Sequence, residues 1–267
     1  MQVHTITAPG GSTVIVGNDD YNITVFGNGT VFAGSGNDTV DVLGKGLVSL
    51  GDGKHDLVTV DGNATVNVGD GSDTIDFNGR SDVLTENGWK GHDTINIGSG
   101  NAYISEAGSA TVTGSFGAAT IHGGVLDITH SGHVVKELAD SGSATLLGGS
   151  SPTDFVGGTG NVSMQGGSGE DTFVGGTGYD IMNAAHGSHG GNLFEFLGGG
   201  THVVENFVSG KDQLYIEGHS LSYLTSQNDI QVKNGNTYIT LDHGKTKIEL
   251  VGVTSPLKST DITTTKP

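Results

Sequence analysis

The sequence predicts an all-β chain wound as a right-handed parallel β-roll, or β-solenoid, closed by a C-terminal β cap. Three observations predict it. Gly/Asp turns recur every 17 to 20 residues, short β-branched runs separate them, and the 267 residues include 48 Gly, 4 Pro and no Cys, far above the usual glycine share of about 7%. A repeat this short cannot bury its own apolar face, so neighbouring repeats must stack. Glycine is entropically costly on folding unless geometry demands it. Hydrophobic residues make up only 33% of the chain, yet Val, Ile and Leu arrive in regular short runs, which implies a thin, continuous core.

From Val14 to Ile97 the pattern is strand, turn, strand, turn: VIVG, NITVFG, TVDVLG, VSLG, LVTVDG, TVNVG, TIDF, DTINIG. Period-two alternation points Ile15, Val25, Val40, Val42, Val60, Val66, Val68, Ile75, Phe77, Ile95 and Ile97 inward, with Thr, Asp and Asn outward. Each pair of strands with its two turns makes one coil. The turns AGSGNDTVD from Ala33, LGDGKHDLV from Leu50, VGDGSDTID from Val68 and WKGHDTIN from Trp89 end at Asp38, Asp56, Asp73 and Asp93, and a step of 18 back from Asp38 reaches Asp20. The alternate turns, GNGT from Gly27, GKG from Gly44, GNA from Gly62 and NGRS from Asn78, lack a carboxylate at the equivalent place. Asp20, Asp38, Asp56, Asp73 and Asp93 therefore form a single file along one edge of the coil.

Charge says what must accompany that file. Of 29 acidic residues, 22 lie in residues 1–200 against five basic ones, so nearly all the net charge of −18 belongs to the repeats. Stacked carboxylates oppose the compact state unless a cation sits between them, and hard oxygen ligands suit calcium. The same acidity argues against nucleic acid and anionic membrane surfaces as partners. No basic region followed by an apolar stretch opens the chain, and no run of about 18 apolar residues predicts a transmembrane segment. The lack of Cys removes any disulfide framework and suits an extracellular protein held by metal instead.

Between Asn101 and Leu147 the acidic turns vanish while strands continue (AYISEAG, ATVTG, ATIHG, VLDITHSG, HVVKEL), which predicts metal-poor coils. An alternative groups His122, His130 and His133 with Asp127 as a metal or catalytic cluster. None of these, nor His186 and His189, shows a spacing such as HExxH. No glycine-rich stretch carries the GK[ST] of a phosphate loop, and no GxSxG has the context of a nucleophile elbow.

Two tandem nonapeptides follow, GGSGEDTFV from Gly166 and GGTGYDIMN from Gly175. They are complete copies of GGxGxDxUx, where U is a large apolar residue, and with the near-complete turns at 16–100 and 148–183 they resemble the calcium-binding repeats of the RTX (repeats-in-toxin) family. That resemblance implies a parallel β-roll in which turn carbonyls and the Asp of adjacent same-side turns hold calcium. Transferred residue by residue, it assigns Asp20; Gly34, Gly36 and Asp38; Gly51, Gly53 and Asp56; Gly69, Gly71 and Asp73; Gly91 and Asp93; Gly167, Gly169 and Asp171; and Gly176, Gly178 and Asp180. Asp171 and Asp180, nine apart, fall on opposite sides of the roll. The glycines are expected to supply positive φ values that aim several carbonyls at one point. The alternative is metal-free turns with Asp as an Asx-turn former.

Residues 1–190 thus read as the roll and 191–255 as its cap, since NLFEFLGGGTHVVENFVSGKDQLYIEG resembles the segment that follows RTX repeats, with Phe207, Gly210, Asp212, Leu214 and Ile216 carrying the match. DIQVKNGN, TYITLDHG and KTKIELVGV read as antiparallel strands joined by NGN and DHG turns. Residues 256–267 read as a flexible tail, and in that family the C-terminal region is an uncleaved type I secretion signal. The functional expectation is a secreted, calcium-dependent structural protein of a cell surface or matrix, partnered by itself or by surface polysaccharide, and not an enzyme. The alternatives are a polysaccharide-active protein of lyase or epimerase type, or an ice- or surface-binding solenoid using Thr39/Asp41, Thr74/Asp76 and Thr94/Asn96.

Overall fold

The chain is nearly all β, with parallel sheets stacked as a β-solenoid. The computed structural model describes residues 3–78, 81–86, 91–98, 101–105, 109–114, 119–123, 125–130, 135–139, 143–150, 152–185 and 191–265. They divide into two compact units, Met1–Gly132 and His133–Pro267.

In the first unit the strands are β1 (His4–Pro9), β2 (Ser12–Ile15), β3 (Tyr21–Phe26), β4 (Gly29–Phe32), β5 (Thr39–Val42), β6 (Gly46–Ser49), β7 (Leu57–Val60), β8 (Ala64–Val68), β9 (Thr74–Phe77), β10 (Ser81–Glu86), β11 (Asp93–Ile97), β12 (Asn101–Ser105), β13 (Ser109–Gly114), β14 (Ala119–Gly123) and β15 (Val125–His130). Odd strands pair in parallel as a front sheet and even strands as a back sheet. Sequence period explains the register: with coils of 17 to 20 residues, Ile23 sits on Val40, Val40 on Val58 and Val58 on Ile75. All four are buried. Each such side chain gains about 1.5–3 kcal/mol from leaving water, which lets a thin core suffice.

Ten of the eleven residues expected inward are buried, but Ile15 is 74% exposed. Register decides this. Val14 pairs with Val31, whose neighbour in the next coil is Val48, so Val14 takes the core position and Ile15 turns outward beside Phe32. A one-residue slip exchanges the faces of a strand.

The second unit contains β16 (Val135–Ala139), β17 (Ala144–Leu147), β18 (Thr153–Gly157), β19 (Val162–Gln165), β20 (Thr172–Gly175), β21 (Tyr179–Asn183), β22 (Leu193–Phe196), β23 (Thr201–Glu205), β24 (Gln213–Ile216), helix α1 (Leu221–Ser226), β25 (Ile230–Lys233), β26 (Asn236–Leu241), β27 (Thr246–Leu250) and β28 (Ile262–Thr263). Parallel coiling runs on past residue 191: β22 pairs with β20, β24 with β22 and β23 with β21. Among the described residues only β25, β26 and β27 form the expected antiparallel set, and β27 rejoins β23 in parallel. The Asn234–Gly235 turn between β25 and β26 has φ of 52° and 83°, as a type I′ hairpin requires.

Phe155, Phe173 and Phe194 stack at 5.1 and 4.9 Å between centroids. Phe173 and Met182, the large apolar residues of the two nonapeptides, are both fully buried. The tail expected to be free is held as far as β28, which pairs with β24, and Asp261 is fully buried, accepting from Ser209 Oγ and from the N–H groups of Gly210 and Lys258.

Candidate metal centre

Each acidic turn of the first unit feeds an odd strand, so the Asp side chains lie at the entry edge of the front sheet. There they form a continuous ladder. Asp38 Oδ1 accepts the Tyr21 N–H at 2.9 Å, Asp56 Oδ1 the Asp38 N–H at 2.8 Å, Asp73 Oδ1 the Asp56 N–H at 2.8 Å, and Asp93 Oδ1 the Asp73 N–H at 2.9 Å. Asp20 differs: its Oδ1 accepts from Asn37 of the following coil. The expected single file is thus present in the geometry, and each rung ties one coil to the next.

The second oxygens carry the chemistry. Oδ2 of Asp38, Asp56 and Asp73 is buried and has no hydrogen-bond partner, although a buried acceptor left unpaired costs about 1–3 kcal/mol and more when charged. Adjacent carboxylates are also one strand spacing apart, about 4.8 Å, where two like charges repel by about 3 kcal/mol at an effective dielectric near 20. Burial accordingly pushes the Asp56 carboxyl up to about 7; the Asp38 N–H opposes this, and the charges of Asp73, Asp38 and Asp93 add to it. Asp38 and Asp73 are also raised, chiefly by burial, against the N–H groups of Tyr21 and Asp56. Such a file demands a cation or protons.

The turns offer oxygen to a cation. A Cβ built on Gly71 would lie 2.6 Å from the Gly53 carbonyl oxygen and 2.7 Å from Asp73 Oδ1, and one on Gly53 would strike the Asp56 carboxylate and lie 2.6 Å from the Gly36 carbonyl oxygen. Carboxylate and preceding-coil carbonyl therefore converge over the bare Cα of the same glycine. Among the described residues no three His, Cys, Asp or Glu side chains group around one point, so a cation here must draw further ligands from the backbone. An all-oxygen set of carboxylates and carbonyls fits calcium, which takes six to eight oxygens in flexible geometry.

Glycine serves this edge for a different reason from the one expected. Of the assigned glycines only Gly91 has a left-handed φ, at 129°. At Gly51 and Gly69 a Cβ would lie 2.9 and 2.6 Å from the carbonyl oxygen of the turn below, and at Gly34, Gly36, Gly167, Gly176 and Gly178 it would collide with that backbone outright. Coil stacking excludes a side chain, whatever the φ.

The nonapeptides do fall on opposite sheets, Asp171 leading into back-sheet β20 and Asp180 lying in front-sheet β21. Asp171 has partners on both oxygens, whereas Asp180 has them on Oδ2 and leaves Oδ1 buried without a hydrogen-bond partner. Asp171 accepts from Thr153 N–H through Oδ1 at 3.0 Å and from Gly167 N–H through Oδ2 at 2.9 Å, while burial pushes it up to about 6. Asp180 Oδ2 accepts from Gly176 N–H and lies 3.2 Å from His202 Nδ1, whose Nε2 is 2.9 Å from the Gly199 carbonyl. His202 thus bridges the Asp180 carboxylate and the Gly199 carbonyl through its two ring nitrogens. Gly175 and Gly200 make room for it, since a Cβ on either would lie 2.7 Å from the ring.

Sequence reasoning missed two members of the second ladder. Asp171 N–H donates to Asn192 Oδ1 and Asn192 N–H to Asp212 Oδ1. The signals were spacing, 21 and 20 residues, and the near-copy GSHGGNLFE from Gly187, hidden because Ser188 and Asn192 replace the second Gly and the Asp of the consensus. The side chains of His122, Asp127, His130 and His133, like His186 and His189, lie outside the described residues. No family model matches the chain, and neither the curated proteins nor the solved structures contain a match.

Proposed function

We propose that this is a secreted, calcium-dependent structural protein of a cell surface or extracellular matrix, of RTX type, whose first unit closes into a stable solenoid when it meets calcium outside the cell. One observation supports this most directly: the file of buried, unpartnered Oδ2 atoms on Asp38, Asp56 and Asp73. Those three carboxylates would hold the cation, with carbonyls of the glycine turns such as Gly36 and Gly53 completing the shell. When bound, calcium supplies positive charge that cancels the repulsion along the file. The residues do the rest, with each Oδ1 fixing its carboxylate to the coil below, each glycine allowing the coils to approach, and Val and Ile excluding water behind the turn.

An assembly role fits described residues that are almost all coil and cap. Calcium titrated into metal-depleted protein tests the reading. Circular dichroism should move from coil to β, calorimetry should count the bound ions, and light scattering with electron microscopy should report assembly. Magnesium should not substitute, because its small octahedral shell rejects a carbonyl-rich cage. A metal-depleted spectrum that calcium leaves unchanged would refute the proposal.

A further inference from the structure

The second unit carries a cavity of about 540 Å³ between α1, β25, β26 and the turn that leaves β26. Its walls include Tyr223, Asn228, Asp229, Gln231, Asp242 and His243. Three of the five non-glycine residues with left-handed backbone among the described residues lie in this wall: Asn228 at φ 60°, Asp242 at 52° and His243 at 57°. Asp242 and His243 are consecutive and continue into Gly244 at φ 89°. Left-handed backbone strains an L-residue and is tolerated best singly. Glycine would close this turn without strain, so hairpin closure alone does not account for a histidine there.

The wall is built for a polyhydroxylated ligand. Tyr223 is about half exposed, and the His219 ring braces it edge-on at 5.0 Å, giving a fixed apolar face against which the C–H side of a sugar ring can lie. Around it the side chains of Asn228, Asp229, Gln231, Asp242 and His243 have no hydrogen-bond partner among the described residues. Amides and carboxylates supply paired donors and acceptors for neighbouring hydroxyls. No Lys or Arg lines the cavity while two carboxylates do, which disfavours phosphate, sulfate and uronate. The volume lies within the range of small-ligand sites.

We propose that this cavity binds a hexose or hexosamine unit free of acidic groups, with Tyr223 as the stacking face and Asp229, Asp242, Asn228 and His243 as hydroxyl partners. The site lies outside the carboxylate file and stands independently of its calcium reading. The test uses the calcium-loaded full chain, titrated by calorimetry and by NMR with soluble oligomers of glucose, galactose and glucosamine, and with oligogalacturonate as the acidic probe. At least one neutral or amino oligomer should bind and the uronate should not. Tyr223→Ala and Asp242→Ala should each weaken binding at least tenfold. His243→Gly should weaken it too while raising the melting temperature by a few degrees, since glycine adopts this φ freely. Absence of binding across the neutral and amino oligomers, or binding that all three variants leave unchanged, overturns the proposal. Sugar binding by protein that takes up no calcium would refute the calcium reading and leave this site standing.

Discussion

Acidifying the metal-free protein should stabilise it, opposite to the behaviour of ordinary paired carboxylates. Asp56 moves from 3.8 to about 7 in the fold, with burial the main cause. A group whose folded value is raised binds its proton more tightly when folded. Its contribution is therefore fully present below about pH 4 and is lost as pH rises toward 7. A displacement of this size carries on the order of 4 kcal/mol at most, and coupling along the file spreads it over several carboxyls rather than repeating it at each. At roughly 2–4 °C per kcal/mol for a chain of this size, the melting temperature in metal-depleted buffer should fall by about 10 °C between pH 4 and pH 7.5. Millimolar calcium should reverse the slope, because protons then compete with the cation for the same oxygens.

The assay is thermal unfolding followed by circular dichroism across that pH range, with and without calcium. Asp56→Asn is the control. An amide keeps the Oδ1 that receives the Asp38 N–H, as Asn192 does for Asp171, but cannot titrate. It should flatten the metal-free pH profile and lower calcium uptake. A wild-type melting temperature that is flat or rises with pH in the absence of metal would show that these carboxyls are not held as the fold implies.

Other consequences concern single positions. Asp38→Ala and Asp73→Ala each strand an N–H, the part-buried one of Tyr21 or the buried one of Asp56, and should cost about 1–3 kcal/mol along with calcium, whereas Asp61→Ala, at an exposed side chain that accepts from Asn78 Nδ2, should stay within about 0.5 kcal/mol; paired melts and calcium counts check both. Gly71→Ala should destabilise by about 1–3 kcal/mol through collision with the Gly53 carbonyl, and a neutral effect in denaturant titration would refute the stacking explanation of that glycine. Phe173→Ala, at the centre of the Phe155–Phe173–Phe194 stack, should cost about 3–5 kcal/mol in the same titration.

Much of the solenoid is legible in the sequence because its rules are local. Alternation fixes which face each strand buries, and a constant turn spacing brings Asp38, Asp56 and Asp73 into file without long-range information. What depends on the neighbouring coil is not legible. Ile15 and Val14 are both β-branched, and only pairing with Val31 chooses between them. The stacking glycines look like flexible turn residues until the carbonyl below them is placed. Asp180 reads as a complete nonapeptide aspartate, yet its partner His202 stands one coil later, at the place of the aspartate in the near-copy LGGGTHVVE from Leu197. Coiling past residue 191 is concealed because Asn192 continues the ladder with an amide where the repeat has Asp, in GSHGGNLFE from Gly187.

Asn192 also separates the two tasks that one aspartate performs. The ladder needs a single side-chain oxygen at each coil to receive a backbone N–H, and an amide supplies it at Asn192 with no charge to desolvate. A carboxylate in that place adds a buried negative charge and an oxygen that the rung does not use. In the second unit Asp171 turns its second oxygen to Gly167, while Asp180 sets Oδ2 against the Gly176 N–H and His202 and leaves Oδ1 buried without a hydrogen-bond partner. Asp38, Asp56 and Asp73 have no comparable partner for Oδ2. Stacking alone would favour asparagine there, so three successive aspartates are what the proposed cation site would require. That reasoning supports the calcium proposal over metal-free Asx turns in the first unit, where the left-over oxygens follow one another from coil to coil, whereas Asp180 stands alone with His202 beside it.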